Sequence, residues 1–512
     1  MRTESDCASG RQGTILRTRE MHHPAPALDF KDTDDPTEGI AMDQAQDTRS
    51  AVHKALTLNL DACKYGTIAE IGAGQEVARF FFRAGGAAGT IAKSMSAYDM
   101  QFSDAIYGTE ENRRYVSLGR LMKMLDYEFS LTVERLAEIR SKNSTFFAFA
   151  DTVAALSYSR KSNCHGWLGV RLQLYPGAPP SDIILHVNML DHETEQQQEA
   201  LGILGVNLIY GAFYHYRDPK QLIESLMDNL VSSRIDIDLI KFSGPYFEEI
   251  ENRLMNLYLV HMGFTQAVMF LPSGEVVQAS EVLYKKHVLV IRGSFRPVTK
   301  VNIDMINCGS RQFLGANKPD TKQVMTLVEI TMAQLMLGHD IDDQDFLARV
   351  DLLGSLGYTV MISNYLQYYK LQAYFRRYTN RNMGIVLGVP NVKDIFNEKY
   401  YDDLEGGILE CFGKLFSGKV TLYVYPMYDR NTSELETIQN LRVDHHLRLL
   451  YRYLVENHFI VGMEGFDKEL LSIFSRDVLR KIKEGRTDWK EQVPELVANQ
   501  IVERRLFGYD TE

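Results

Sequence analysis

The sequence predicts an α/β protein of two or three domains, on three observations. At 512 residues the chain exceeds the roughly 250–300 residues at which a single hydrophobic core stops growing. Hydrophobic residues make up 45% and charged residues 24%, with 36 Gly and 14 Pro, which excludes a fibrous repeat or wholesale disorder. From residue 284 onward, apolar branched runs alternate with helical patterns, as in a parallel sheet covered on both faces.

Charge and cysteine usage narrow the class of partner. A net charge of -11 repels nucleic acid and anionic membranes alike, so neither is expected as a partner. The five cysteines, Cys7, Cys63, Cys164, Cys308 and Cys411, stand far apart with no CxxC pair, which is reducing-compartment usage. The first residues lack the apolar core of a secretion signal, and no apolar run reaches about 18 residues. A cytoplasmic protein acting on a small molecule is the expectation, with a homo-oligomer suggested by base rate alone.

Residues 1–50 are polar and without sustained periodicity, and read as a disordered or extended tail. Residues 51–283 read as a mixed α/β domain. Within it, "RLMKMLDYEFSLTVERLAEIR" (120–140) spaces apolar residues as an amphipathic helix, and "TFFAFADTVAAL", "HGWLGVRLQL" and "DIILHVNML" are strands. "ETEQQQEALGILGVNLIYGAFYHY" returns to helix, and "DPKQLIESLMDNL" opens on Asp218 as cap with Pro219 in the first turn. "RIDIDLIKF" is a strand, "PYFEEIENRLMNLYLVHMG" a mixed helix, and "TQAVMFLPSGEVVQ" a hairpin with "PSG" at its tip. Residues 284–434 form the alternating core: "HVLVIRG", "YTVMISN", "NMGIVLGV" and "VTLYVYPM" as strands, "TKQVMTLVEITMAQLML" and "NYLQYYKLQAYFRRYT" as helices. Residues 435–512 are mainly helical.

The stretch "VLVIRGSFRPVT" (288–299) carries the most chemistry. A strand opens into a turn at its carboxyl end, where an α/β sheet forms its ligand crevice. Amides after Gly293 can face a phosphate, Ser294 and Thr299 can donate hydrogen bonds, and Arg296 offers a charge-assisted fork. The plain alternative is a turn fixed by Pro297, with Arg296 in solvent.

"GSFRPVT" resembles the strand-turn signature of the nucleotidyltransferase superfamily that includes nicotinamide-nucleotide and phosphopantetheine adenylyltransferases. "IFSRDVLRKIKEGRTDWKEQVPELVANQIVERRLFGY" (473–509) resembles the closing segment of those enzymes. The whole is also similar to an uncharacterised bacterial family whose members carry adenylyltransferase labels. The resemblance implies a Rossmann-like, nucleotidyltransferase-like domain, its helical segment at the C-terminus, and attack of a phosphate on the α-phosphorus of ATP with Mg²⁺ present. Arg296, Thr299 and Asn302 would act at the reacting phosphates; Gly293, Ser294, Ser475 and Arg480 would bind the nucleotide. Val301 and Asn302 replace the usual Gly-His pair, and Arg480 falls one residue late, about 100° around a helix. Adenylyl transfer, another phosphate chemistry, and a noncatalytic nucleotide-binding or structural role therefore stay open.

Other clusters have competing readings. "EIGAGQEVARFFF" resembles the first loop of a class I methyltransferase at Gly72 and Gly74, but Glu76 occupies the third glycine position, so a close-packed turn competes with a ligand loop. Ser363 ends a strand as in dehalogenase-like phosphatases, with Asp151 as a distant candidate nucleophile. "HDIDDQD" (339–345) and "YYDDLEGGILE" (400–410) hold oxygen ligands, although acids capping a helix explain the first more simply. His192, Glu195 and Glu199 share a helix face, Cys164 adjoins His165, and Tyr365, Tyr368, Tyr369, Tyr374, Phe375 and Tyr378 read as packing rather than base stacking.

Overall fold

Among the described residues two large β-sheets, beside two two-stranded ribbons, organise the chain. The computed structural model describes residues 50–510 except 73, 111–113, 141, 157–163, 318–319, 338–339 and 430–433, and these fall in one compact unit, Thr48–Glu512. Of the tail expected over 1–50, all but Ser50 lies outside the described residues, as does Cys7.

The first sheet comprises β1 (Lys64–Gly72), β2 (Ile91–Ala97), β3 (Thr145–Ala154), β4 (His165–Leu172), β5 (Ser181–Met189) and β6 (Ile235–Ser243). They lie in the order β2-β1-β3-β4-β5-β6. β2, β1 and β3 run parallel and the remaining pairs antiparallel. Its helices are α1 (Ala51–Leu60), α2 (Val77–Ala84), α3 (Met100–Tyr107), α4 (Leu118–Leu136), α5 (Thr194–Tyr214), α6 (Pro219–Leu226) and α7 (Asn252–His261). β1 and β3 are buried along nearly their whole length, so both faces need cover. One face packs Ile68, Phe147 and Phe149 against α1, α2 and α5; the other packs Ala69 and Ala150 against Leu121, Met124 and Leu125 of α4. Asp218 caps α6 through the Lys220 and Gln221 amides, with Pro219 as its first residue, as the sequence predicts.

The second sheet comprises β7 (Ala267–Phe270), β8 (Val276–Val277), β9 (His287–Arg292), β10 (Val324–Thr331), β11 (Thr359–Ser363), β12 (Met383–Gly388), β13 (Val420–Tyr425) and β14 (Ile460–Gly462). Their order is β14-β13-β12-β9-β10-β11-β7-β8. From β14 through β11 all neighbours are parallel, and β7 and β8 add an antiparallel edge. Counting β9 to β14 as strands one to six, the order is 3-2-1-4-5-6, reversing between β9 and β12.

The accompanying helices are α8 (Ala279–Leu283), α9 (Lys300–Asn317), α10 (Met332–Leu335), α11 (Asp343–Ser355), α12 (Tyr368–Arg376), α13 (Val389–Ile395), α14 (Gly407–Leu415), α15 (Arg448–Glu456), α16 (Ser475–Lys483) and α17 (Glu495–Arg504). One face carries residues of α12 to α15 and the other residues of α9, α11, α16 and α17, the two-sided cover the alternation predicts.

Three details depart from the sequence reading. Residues 324–331, expected within a helix, form β10, which pairs with β9 and β11. The apolar spacing of "VMTLVEIT" fits either period, and its β-branched Val, Thr and Ile favour a strand once there is a neighbour on each side. The hairpin expected to belong with residues 51–283 joins the second sheet through β7 and β11. Residues 245–263 form a short 3₁₀ turn at Pro245–Phe247 followed by α7, not one helix.

Candidate functional site

β9 delivers the chain to Gly293 at the carboxyl side of the second sheet. The Gly293 amide donates to the Glu329 carbonyl at 3.0 Å, so it continues the sheet instead of facing a ligand. Phe295 has a φ of 44° and is 1% exposed. Its ring lies 2.9 Å from where a Cβ on Gly293 would stand, and that close approach reserves position 293 for glycine. The Arg296–Pro297 peptide is cis.

Arg296 points into a cavity of about 480 Å³. Its lining mixes four cations, Arg296, Lys483, Arg504 and Arg505, with the carboxylates Asp342 and Asp345. Lys483 ends α16, Arg504 ends α17, and Arg505 and Phe507 follow in the left-handed region at φ 50° and 58°. Non-glycine residues adopt that conformation at a cost, which tertiary packing has to hold in place. Behind this wall Trp489 is fully buried, its ring 5.8 Å from that of Tyr509.

The charges in the cavity are unequally committed. Arg296 Nε donates to Asp345 Oδ1 at 2.5 Å, and Asp345 also pairs with Arg349. Burial of Arg349 pushes its guanidinium below the usual arginine range, against the pull of Asp345. Arg504 pairs with Asp351 at 2.7 Å. Asp342 caps α11 through the Gln344 and Asp345 amides, the helix-capping role the acidic run predicts. Lys483 and Arg505 are exposed and make no side-chain ion pair or hydrogen bond with another described residue. Two uncommitted cations in a concave wall suit a phosphate or carboxylate.

The predicted site residues separate. Thr299 is fully buried, and its hydroxyl and amide both donate to Asn302 Oδ1, at 2.8 and 2.9 Å. The two close the first turn of α9 on each other. Ser294 is exposed, and its carbonyl accepts from Arg349 at 3.3 Å. Ser475 begins α16. Arg480 projects into solvent and pairs with Asp477 and Glu484 of its own helix, at 3.3 and 3.8 Å; neither it nor Ser475 lines the cavity. The closing segment does reach Arg296, but through Lys483 and residues 504–508. Sequence reasoning missed these residues, although the "VERRLFGY" run carried the charge that could have marked them.

The glycine loop of the first sheet is built around carboxylates. Gly72 has a φ of 80°, and a Cβ on Gly74 would stand 2.3 Å from Asp151 Oδ1. Glu76 pairs with Arg79 at 2.9 Å. The α2 amides of Val77 and Ala78 instead donate to Glu70, at 3.0 and 3.2 Å. Burial and the Glu76 charge raise the Glu70 carboxyl to about 7, against those two bonds. Burial, with Glu70 alongside, raises Asp151 well above the usual range. A 440 Å³ cavity opens here between α2 and β2, lined by Glu70, Gln75, Arg79, Arg83, Ser94 and Ser96 among others, and shares no residue with the cavity at Arg296.

The remaining clusters resolve simply. Ser363 is buried against Glu329 in the second sheet, whereas Asp151 lies in the first, so the phosphatase pairing of the two falls away. Among the described residues no group of three or more His, Cys, Asp or Glu is placed to hold a metal ion, and no helix is long and apolar enough to cross a membrane. Glu199 pairs with Arg234, and Tyr365, Tyr368, Tyr369, Tyr374 and Phe375 are core residues.

No protein-family model and no curated protein matches the chain. Partial structural matches exist. A competence/damage-inducible protein from Agrobacterium tumefaciens matches at 14% identity, covering 31% of this chain and 93% of its own, with a TM-score of 0.23. A competence-damaged protein (CinA) superfamily member from Klebsiella pneumoniae matches at 11%, covering 33% and 98%, with a TM-score of 0.25. Its counterpart from Escherichia coli matches at 14%, covering 31% and 86%, with a TM-score of 0.22. Likeness at this level carries no argument about activity.

Proposed function

We propose that the second sheet binds a nucleotide with its phosphates in the cavity at Arg296, Lys483, Arg504 and Arg505, and that its chemistry is adenylyl transfer from ATP to a small phosphate-bearing acceptor. One observation carries this reading: the two segments that resemble the adenylyltransferase signature, remote in sequence, line the same cavity. A strand order of 3-2-1-4-5-6 supports a Rossmann-like reading of this sheet, in which ligands would lie beyond the carboxyl ends of its strands.

In the transfer, an acceptor phosphate oxygen bonds to the α-phosphorus of ATP and the bond to pyrophosphate breaks. Lys483 and Arg505 neutralise and orient the phosphates, which is the main requirement of such a reaction. Asp342 and Asp345 are occupied by a helix cap and by arginines, so they do not form a protein cage for a cation. Mg²⁺ would be held mainly by the phosphates of ATP.

A second reading, a nucleotide binder without turnover, draws on the closed Thr299–Asn302 turn and the Arg296–Asp345 pair, which leave few free donors at the reacting phosphorus. Calorimetric titration of the full chain with ATP, with and without Mg²⁺, tests the site. The double variant Lys483→Glu/Arg505→Glu should lose at least about tenfold in affinity, two charge reversals being involved. Unchanged affinity would sink the site. Pyrophosphate release, followed by mass spectrometry over a panel of phosphate-bearing acceptors, separates transferase from binder.

A further inference from the structure

A third cavity, of about 370 Å³, opens against the first sheet where the segment leading into β9 crosses it. Its lining includes Arg114, Ser117, His165, Trp167, Gln278 and Tyr284. Behind it three polar side chains from three adjacent strands form a chain. Asp238 of β6 meets His186 Nδ1 at 2.5 Å, and His186 Nε2 meets His165 Nδ1 at 3.1 Å. Gln278 adds its amide nitrogen 2.7 Å from His186 Nε2, and Asn188 donates to the second oxygen of Asp238 at 3.0 Å.

The carboxylate sets the direction of this chain. An ionised Asp238 only accepts, so His186 Nδ1 carries the proton and its Nε2 is an acceptor. The Gln278 amide shares that lone pair, and His165 Nδ1 is its second, longer donor, because an unprotonated Nδ1 would set two lone pairs against each other. The opposite nitrogen, His165 Nε2, is left with a lone pair on the cavity side. Burial, the neighbouring His186 and Arg114 together depress His165 to about 4, outweighing Asp238, so the ring is neutral at neutral pH. His186 is fully buried, and a network of this kind fixes orientation when every member has a partner.

The rest of the lining defines what fits. Trp167 is 3% exposed and meets the His186 ring edge-on at 4.8 Å. Tyr284 is half exposed, with the Arg114 guanidinium 5.8 Å from its ring centroid. Two aromatic rings, one cation, one exposed carboxylate, Glu281, and one neutral acceptor nitrogen therefore border one volume.

We propose that this cavity is a second ligand site, for a small aromatic or heteroaromatic acid: its ring lies against Trp167 and Tyr284, its anion meets Arg114, and a ring O–H or N–H donates to His165 Nε2. Asp238 and His186 act as positioning residues that hold His165 in the accepting tautomer. The site is separate from the nucleotide cavity and stands without it.

The probe is 4-hydroxybenzoate, with benzoate as the analogue lacking the donor, each titrated into the full chain by calorimetry. The hydroxyl should strengthen binding by up to about tenfold, the worth of one hydrogen bond. His165→Phe should remove that difference while benzoate affinity stays within about twofold. Arg114→Ala, at an exposed position, should weaken both acids without altering the melting temperature. Because both acids lose their own charge in the same range, the readout is their difference: the advantage of 4-hydroxybenzoate over benzoate should disappear as the pH drops through about 4, where His165 becomes a donor. Glu281 and Arg114 at the cavity, and Asp238 and Asp236 behind it, are the other charges facing this group, and a Glu281→Gln control separates the exposed acid from it. Binding of neither acid, or equal binding of both to wild type and to both variants, overturns the proposal.

Discussion

The two sheets place an ionisable pair in the same position and give it opposite chemistry. In the first, Glu70 on β1 stands beside Asp151 on β3 in parallel register; in the second, Arg292 on β9 stands beside Glu329 on β10. Each pair lies near the carboxyl ends of its strands. Arg292 meets Glu329 through two bonds of 2.9 Å, donates to the Tyr365 and Leu366 carbonyls, and lies 4.3 Å from the centroid of the Tyr368 ring. Ser363 completes the Glu329 carboxylate at 2.6 Å. Glu70 has two amides, whereas Asp151 is fully buried and among the described residues only the Ile71 amide, outside full hydrogen-bond geometry, eases its charge. Opposite charges offset each other in the second sheet, whereas adjacent carboxyls in the first favour the protonated form.

Breaking the opposite-charge pair should have the largest effect. Arg292→Met strands a buried Glu329 and should cost roughly 3–5 kcal/mol, read as a lowered urea midpoint at neutral pH. The carboxyl pair should reveal itself through pH. Burial pushes the Glu70 carboxyl up to about 7 in the folded chain from the ordinary glutamate value of 4.5, and raises Asp151 as well. The unfolded chain therefore releases these protons first, and stability falls as pH rises from about 4.5 through about 7. Asp151→Asn should flatten that fall; equal slopes for variant and wild type, from unfolding curves at about pH 5 and pH 8, would contradict the assignment.

A smaller effect tests the glycine beside the pair. Gly74→Ala places a methyl against Asp151 and should cost about 1–2 kcal/mol. In an Asp151→Ala background most of that cost should vanish, and additivity in the double-mutant cycle would show that Asp151 is not the obstacle. Smallest of all, Arg480→Ala breaks only pairs within its own exposed helix and should stay within about 0.5 kcal/mol. It should also leave ATP affinity unchanged, in contrast to the Lys483 and Arg505 reversals.

Most strands were legible because local pattern and tertiary demand agree. "HVLVIRG" and "YTVMISN" are apolar throughout and become central strands; Asp218 and Pro219 open a helix wherever its face is buried. β10 was not, since a short apolar run satisfies either period until its neighbours are known. The loop after β9 was found, but its residues were assigned by motif. Thr299 and Asn302 turned to each other because an unsatisfied helix start recruits the nearest side-chain acceptor. The Asp238–His186–His165 chain spans 52 and 21 residues and has no local spacing to announce it. Its one trace is alternation: His186 and Asn188 in "DIILHVNM", Asp236 and Asp238 in "RIDIDLIKF", polar residues on one face of strands otherwise buried.

The chain contains two tryptophans, and they divide between the two proposed sites. Trp167 borders the aromatic-acid cavity and touches His186, while Trp489 is sealed behind the wall that carries Lys483 and Arg505. The molecule thus carries a built-in optical label at each end of its chemistry. With Trp489→Phe, all remaining indole emission comes from beside the proposed aromatic-acid cavity, and with Trp167→Phe, from behind the proposed nucleotide cavity. Occupancy of either site can then be watched separately in the unlabelled protein.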